Sequence, residues 1–172
     1  MKLLAPVIAA GLALALPVQA WEIEEIGILR ATFGEELFEK PTVIVTQGDE
    51  VSPTAFLLLT VGNFSSLSLM SGDGNFAIDA TFMSHAPGPD TAPVSTNVTY
   101  APDGNMQFWL SEGAPEPMEV TFTTLAIDGD KGEAVGRFRG LLCFADGLGA
   151  EADPGNCRPV EGSFDTPFFI EE

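Results

Sequence analysis

Residues 133–143 read EAVGRFRGLLC and residues 157–165 read CRPVEGSFD, and these two stretches decide the fold. We suppose that the two cysteines face each other across an antiparallel pair of strands. This register places an aromatic ring over a bare glycine twice: Phe138 over Gly162, and Phe164 over Gly136. A ring from the neighbouring strand compensates for the weakness of glycine in a strand.

The same register also arranges the opposite face of the pair. There it sets Arg139 against Glu161, Arg137 against Ser163, and Cys143 beside Cys157. A slip by one residue would turn all of these side chains to the wrong faces. Because independent features agree on one register, we predict an antiparallel hairpin.

Residues 1–20 have the form of a secretory signal peptide, with its cut after Ala20. A basic start precedes an uncharged apolar run from Leu3 to Leu16, which Pro17 ends. A membrane anchor is the alternative, but the run is shorter than the ~20 residues that a spanning helix needs. We therefore predict a periplasmic or secreted bacterial protein, with no membrane insertion after cleavage.

The strongly acidic composition limits the partners of the chain. The sequence contains 25 acidic and 7 basic residues, and removal of Lys2 with the signal peptide makes the formal charge −19 instead of −18. Nucleic acid and anionic lipid require cationic side chains that displace counterions. We therefore exclude nucleic-acid binding; solubility outside the cell, divalent cations or a basic partner each fit the charge.

Export also determines the state of the two cysteines. Thiols that are already paired by the register form a disulfide in an oxidising compartment. We predict the bond Cys143–Cys157, which closes a loop of ~15 residues and stabilises the fold by about 3 kcal/mol. The spacing is not Cys-x-x-Cys, which disfavours a catalytic or metal-binding pair.

The apolar residues after the signal peptide alternate with a period of two, which is typical of strands with one buried face. Besides the hairpin, the predicted strands span residues 26–33, 41–47, 55–61, 64–70, 76–82, 94–100 and 118–123. Tight turns are predicted at residues 71–75, 102–105 and 128–132, where Gly, Asn and Asp cluster.

Three details refine this assignment. Residues 55–61 are apolar on both sides, which favours a central strand covered on both faces. Ser65 and Ser66 interrupt the next run and indicate a bulge. The only helical candidate is a single turn from Glu35 to Lys40, which Pro41 ends.

Short strands without a long helix are typical of an all-β domain. We predict that residues 21–172 form a single antiparallel β-sandwich, immunoglobulin-like or jelly-roll-like. A closed β-barrel is the alternative.

Residues for catalysis are scarce. His85 is the only histidine, no serine lies in a Gly-x-Ser-x-Gly motif, and zinc or copper would lack ligands. We predict that the protein is not an enzyme. A hydrolase that uses a pair of carboxylates is the alternative, because an acidic chain always offers some pair.

The loop 144–156 is a candidate calcium site. It carries Asp146, Glu151, Asp153 and Asn156 between the two cysteines, and calcium prefers such oxygen ligands. The spacing is not that of an EF-hand. The alternative is that these residues are present because turns favour them.

Tyr100 and Trp109, on either side of the predicted turn at 102–105, are candidate ligand-binding residues. The alternation places Met106, Phe108 and Leu110 in the core and Trp109 on the opposite face. If Trp109 were exposed there, it would form a flat platform for a sugar or an apolar partner segment. The alternative is that a loop covers it.

These observations predict an exported, non-catalytic binding or structural module of the bacterial cell envelope, with a protein or glycan partner that the sequence does not identify. A calcium-stabilised binding domain and a carboxylate-dependent hydrolase are the two alternatives.

Overall fold

The structure, a computed structural model, describes residues 21–60, 62–102, 107–147 and 149–171. The predicted signal peptide, Met106 and residues 103–105 of one predicted turn lie outside these ranges. The described residues form eleven strands and no helix: β1 (Glu22–Phe33), β2 (Glu36–Gln47), β3 (Glu50–Pro53), β4 (Ala55–Thr60), β5 (Phe64–Met70), β6 (Phe76–Phe82), β7 (Ser95–Tyr100), β8 (Phe108–Leu110), β9 (Glu119–Asp128), β10 (Lys131–Ala145) and β11 (Asp153–Glu171). The all-β prediction is confirmed.

The strands form one mixed sheet in the order β3-β2-β1-β11-β4-β5-β6-β7-β8-β10-β9. Because β10 also pairs with β11, the pairing returns on itself. The pairing of β11 with β4 is parallel, and the other pairings are antiparallel.

The sheet folds into two layers that face each other across the core. We call β1, β2, β9, β10 and β11 the hairpin layer, and β4 to β8 the meander layer. Rings from the two layers meet: Phe38 with Phe76 at 5.2 Å, Phe76 with Phe138 at 5.7 Å, and Phe82 with Phe122 at 5.8 Å between centroids. The fold thus combines packed layers, as in the predicted β-sandwich, with a closed circuit of strand pairing, as in the closed barrel that is the alternative prediction.

Alternation explains which side chains form the core. Every second residue of β6 is buried, from Phe76 to Phe82, and the residues between them are half-buried. The same period is seen around Phe138 in β10 and Phe164 in β11. Burial of these apolar side chains is the main stabilising contribution to such a fold.

The predicted hairpin is confirmed residue by residue. Phe138 pairs with Gly162, Gly136 with Phe164, Arg139 with Glu161, and Arg137 with Ser163. An added Cβ would lie 2.5 Å from Phe138 Cζ at Gly162, and 2.4 Å from Phe164 Cζ at Gly136. The rings therefore occupy the space that the glycines leave.

The disulfide prediction is also confirmed. Cys143 pairs with Cys157 in the register and is bonded to it. A register shift follows directly, between Cys143 and Phe144. The bond therefore closes the hairpin at the point where regular pairing ends.

The predicted helical turn at residues 35–40 is wrong. Gly34 has a φ of 62°, β2 begins at Glu36, and Pro41 pairs with Ile28 within it. Pro41 is tolerated because β2 has a second strand partner, β3, only from Ile44 onward.

The bulge at Ser65 and Ser66 is wrong as well, because β5 pairs with β4 and β6 without a register shift. Ser65 faces inward and is fully buried, and its hydroxyl donates a hydrogen bond to Ser84 O at 2.7 Å. A satisfied hydroxyl therefore takes an inward position without disturbing the alternation.

The prediction that the strand at residues 55–61 is covered on both faces fails on one side. Leu57 is fully buried, whereas Leu58 on the opposite face is 36% exposed.

Among the described residues, no helix is long and apolar enough to cross a membrane.

Candidate functional site

Three arginines share the outward surface of the hairpin layer. Arg30 on β1 and Arg137 on β10 both pair with Ser163 of β11, one from each side. Arg139 lies two residues beyond Arg137 on the same strand and therefore faces the same way. We call the surface around Arg30, Arg137, Arg139, Thr121 and Ser163 the arginine face.

The arginine face contains a shallow depression of about 610 Å³. All five of these residues line it, and so does Leu37, whose side chain is 73% exposed. A second depression of about 540 Å³ adjoins it and shares Arg139 and Glu161 with it. The surface is therefore open and elongated rather than an enclosed pocket.

Two of the three arginines are held by exposed ion pairs. Arg30 Nε donates to Glu39 Oε1 at 3.0 Å, and Arg139 Nε donates to Glu119 Oε2 at 2.6 Å. The hydrogen bond from Arg139 holds the pKa of Glu119 below its ordinary value. Such exposed pairs contribute little to stability, so their arginines are available to another anion.

Arg137 differs from both neighbours. Within the part of the chain that the structure describes, no carboxylate lies at ion-pair distance from its guanidinium. It stands between Ser163 and Thr121 in the register, so hydroxyl groups flank it on both sides. The Thr121 hydroxyl donates to the Arg137 carbonyl oxygen at 3.5 Å. The arginine face therefore presents a guanidinium that has no carboxylate at ion-pair distance among the described residues, with the Ser163 hydroxyl opposite it in the register.

The aromatic platform predicted at Tyr100 and Trp109 is not formed. Tyr100 is 3% exposed and Trp109 is 7% exposed, and Phe33 packs against both rings at 5.3 and 4.9 Å. Trp109 faces the main core because its partner on β10, Phe144, faces inward.

Phe108 instead faces a small second cluster with Ala101 and Ala145. The predicted assignment of faces is therefore wrong for Phe108, Trp109 and Leu110, and Met106 lies outside the described residues.

A fourth arginine closes the end of the core next to the disulfide. The Arg158 guanidinium lies 4.6 Å from the Trp109 ring and 5.8 Å from the Phe33 ring. This stacking belongs to the structural packing of the end of the core.

The loop predicted to bind calcium has exposed carboxylates that do not converge. Asp153 begins β11, and its Oδ1 accepts the Gly155 N–H at 2.9 Å, as a turn residue does. Among the described residues, no three His, Cys, Asp or Glu side chains form a group that could hold a metal. Calcium binding through Asp146, Glu151, Asp153 and Asn156 stays a prediction.

His85 is exposed and lies 2.9 Å from the Thr60 carbonyl oxygen through its Nε2 atom.

On the meander layer, partial burial raises the pKa of Asp79, and a hydrogen bond from Ser68 opposes this rise. No second carboxylate faces outward from β4 to β7 in the described chain. The hydrolase alternative stays a prediction without a carboxylate pair at this position.

The sequence correctly predicted Arg137 opposite Ser163 and Arg139 opposite Glu161. It did not reveal Arg30 as a neighbour of the two arginines. That neighbourhood depends on β1 pairing with β11, more than a hundred residues apart along the chain. The signal was nevertheless present, because only six basic residues follow residue 20 and three of them meet here.

The chain matches no protein-family model, no curated protein and no solved structure.

Proposed function

We propose that this protein is an exported, non-catalytic binding module of the bacterial cell envelope, and that its arginine face binds a short acidic segment of a partner protein. The observation that carries the proposal is Arg137, a guanidinium without an acidic partner among the described residues, flanked by two further arginines. The guanidinium is planar and binds carboxylates through two parallel hydrogen bonds.

The spacing of the arginines fits an extended acidic segment. Arg137 and Arg139 are two residues apart on one strand, so their Cα atoms are about 7 Å apart. Carboxylates at alternate positions of an extended peptide have the same spacing of about 7 Å. Arg30 lies about 10 Å from Arg137, across β11, and reaches the flank of such a segment.

The surrounding charge limits the length of the ligand. The chain after residue 20 carries a formal charge of −19, and Glu39, Glu119 and Glu161 border the arginines. A long polyanion extends past the arginines and meets these carboxylates, which repel it. The arginine face therefore selects ligands with two or three negative charges.

Export is supported by the form of residues 1–20 and by the disulfide. Disulfides persist in oxidising compartments and are rare in the bacterial cytoplasm. The proposal therefore places the partner in the periplasm or outside the cell.

The test uses a dye-labelled peptide with alternating glutamates, Glu-Ser-Glu-Ser-Glu, and fluorescence anisotropy at low salt. We expect Arg137→Ala to weaken binding roughly tenfold or more, because a charge-assisted hydrogen bond is lost. Lys131→Ala is the matched control, since it removes one positive charge outside the depression. A peptide with glutamine in place of glutamate should not bind.

Equal loss in the Arg137 and Lys131 variants would show that binding follows net charge alone, and the arginine face would not be a site. Failure of the peptide to bind the wild-type protein would also contradict the proposal. Oligogalacturonate serves as the glycan probe: if it binds through Arg137 more tightly than the peptide, the partner is a glycan.

A further inference from the structure

The second depression of the hairpin layer continues the arginine face along the strands. Arg139 and Glu161 stand opposite each other in the register and line both depressions. Two residues back along β10, Arg137 lines the first depression. Two residues forward, Leu141 and its partner Pro159 line the second. The two depressions therefore form one groove that runs along β10 and β11.

The end of this groove beyond Arg139 is apolar. Leu141 pairs with Pro159, and Pro117, two residues before β9, lines the same depression. Leu141 is half-buried, and the two prolines are exposed. We call Leu141, Pro159 and Pro117 the apolar end. Apolar surface is therefore open to solvent directly beside the arginines.

The surface on the other side of Arg137 is different. The next outward position of β10 is Val135, which pairs with Asp165, and Asp165 pairs with Ile28 of β1. Both depressions end before this row. The exposed carboxylate of Asp165 repels an acidic segment. An acidic segment bound at the arginines therefore continues toward the apolar end and not toward Asp165.

The strand repeat brings the next side chain of the ligand to the apolar end. Outward side chains of a strand recur about every 7 Å, and so do alternate side chains of an extended peptide. When two carboxylates of the peptide lie at Arg137 and Arg139, the side chain two residues further lies at Leu141. The third alternate position of the ligand therefore faces the apolar end.

We infer that the apolar end is a subsite of the arginine face, and that the partner segment carries an apolar side chain at the alternate position after its two acidic residues. The inference rests on the proposed function, because it names a further residue of the same ligand. It adds specificity, since the arginines alone accept any segment with suitably spaced carboxylates.

Charge and apolar area favour different side chains at this position, and their magnitudes decide between them. Glu116, Glu119 and Glu161 line the second depression, so they repel a third carboxylate and attract a lysine. All three are exposed, and exposed charge pairs contribute little in water. Covering Leu141 and the prolines removes apolar surface from water, and this contribution grows with the area covered. An apolar side chain is therefore favoured over a lysine.

Fluorescence anisotropy with dye-labelled peptides at fixed low salt tests the inference. Glu-Ser-Glu-Ser-Leu and Leu-Ser-Glu-Ser-Glu carry leucine at opposite ends, because a ligand held by its side chains can run in either direction along the groove. In the two reference peptides serine replaces leucine. We expect at least one leucine peptide to bind about fivefold tighter than its reference, because part of the leucine side chain is buried. Lysine in place of leucine should give a smaller gain.

A pair of variants assigns the gain to the apolar end. Leu141→Ser should abolish the gain from leucine and leave the affinity for the serine peptides unchanged. Val135→Ser is the matched control, because Val135 is a half-buried residue at an outward position of the same strand, on the other side of the arginines. Circular dichroism checks that both variants fold, and the comparison of peptides on the wild-type protein requires neither of them.

Three results would overturn the inference: no gain from leucine at either end, an equal or larger gain from lysine, or a gain that Val135→Ser removes as fully as Leu141→Ser. In each case the serine peptides still bind through Arg137, so the proposed function stands. If the serine peptides do not bind the wild-type protein, or if Arg137→Ala does not weaken their binding, the proposed function fails and this inference fails with it.

Discussion

The arginine face and the outward surface of β4 to β7, which we call the meander face, follow the same alternation of inward and outward side chains, yet they carry different chemistry. On the arginine face, Arg30 and Arg139 are engaged in ion pairs, and Arg137 between them has no carboxylate at ion-pair distance in the described part of the chain. On the meander face, Asp79 is the only charged residue that the structure describes, and it lies opposite Ser68 on one side and Asn97 on the other.

This difference teaches that the fold constrains only one side of each strand. The inward positions of both layers must be apolar to form the core. The outward positions are not needed for packing, so their composition reflects solubility and binding. The function of this protein is therefore to be sought in the contrast between its two outward faces.

The largest expected effect comes from the bond that closes the hairpin layer, since the meander layer has no such link. Replacing both Cys143 and Cys157 with alanine should lower the free energy of unfolding by about 3 kcal/mol, because the unfolded chain is no longer constrained. Urea denaturation measures this. Reduced wild-type protein should match the variant, and an unchanged midpoint under reductant would contradict the prediction.

The glycines of the hairpin layer should be sensitive to any added side chain. A Cβ at Gly162 would lie 2.1 Å from Arg30 O and 2.5 Å from the Phe138 ring. We expect Gly162→Ala to cost about 2 kcal/mol through overpacking. Gly88→Ala is the matched control between β6 and β7, because a Cβ there meets nothing within 4 Å. Similar losses in the two variants would contradict the ring-over-glycine account.

One carboxylate on each face should show pH effects of opposite sign. Burial raises the pKa of Asp79, so the native state keeps this proton to a higher pH than the unfolded chain does. The contribution of Asp79 to stability therefore falls as pH rises from the ordinary carboxyl pKa through the higher native pKa. Arg139 lowers the pKa of Glu119, so the contribution of Glu119 to stability is present above the ordinary carboxyl pKa and is lost as pH falls through the lower native pKa.

We therefore expect Asp79→Asn to stabilise the protein at neutral pH and to have no such effect in acid. Glu119→Gln should destabilise it slightly at neutral pH, because exposed pairs are weak. Thermal melts of both variants across the acidic range measure the difference. The same sign in both variants would contradict the assignment of the two environments.

The smallest expected effect concerns calcium at the loop 144–156, where the two layers join through β8 and β10. Millimolar calcium should raise the melting temperature of the protein, and a chelator should reverse the rise, because oxygen ligands on the loop bind the ion. Glu151→Gln should reduce the rise. No shift at saturating calcium would remove the hypothesis.

The sequence predicted the hairpin well because each register position had to satisfy two faces at once. Phe138 required Gly162 on one side, and the cysteines and Arg139 agreed on the other. Local alternation likewise predicted the inward face of β6.

Prediction failed where a local pattern has two physical explanations. The apolar outward side of residues 55–61 indicated a covering element, whereas in the structure Leu58 is exposed. Trp109 was assigned to the wrong face because β8 has only three residues, and its orientation is set by pairing with Phe144. Arg30 could not be assigned to the site without the long-range pairing of β1 with β11.

The arginine side chains offer the most direct measurement of the central claim. The chain has four arginines, so a nitrogen–proton correlation spectrum contains four Nε–Hε signals. On titration with the acidic peptide, we predict that the signals of Arg30, Arg137 and Arg139 shift together. The signal of Arg158 should stay, because its guanidinium stacks on Trp109 at the end of the core. A shift confined to Arg158, or no shift at saturating peptide, would contradict the account.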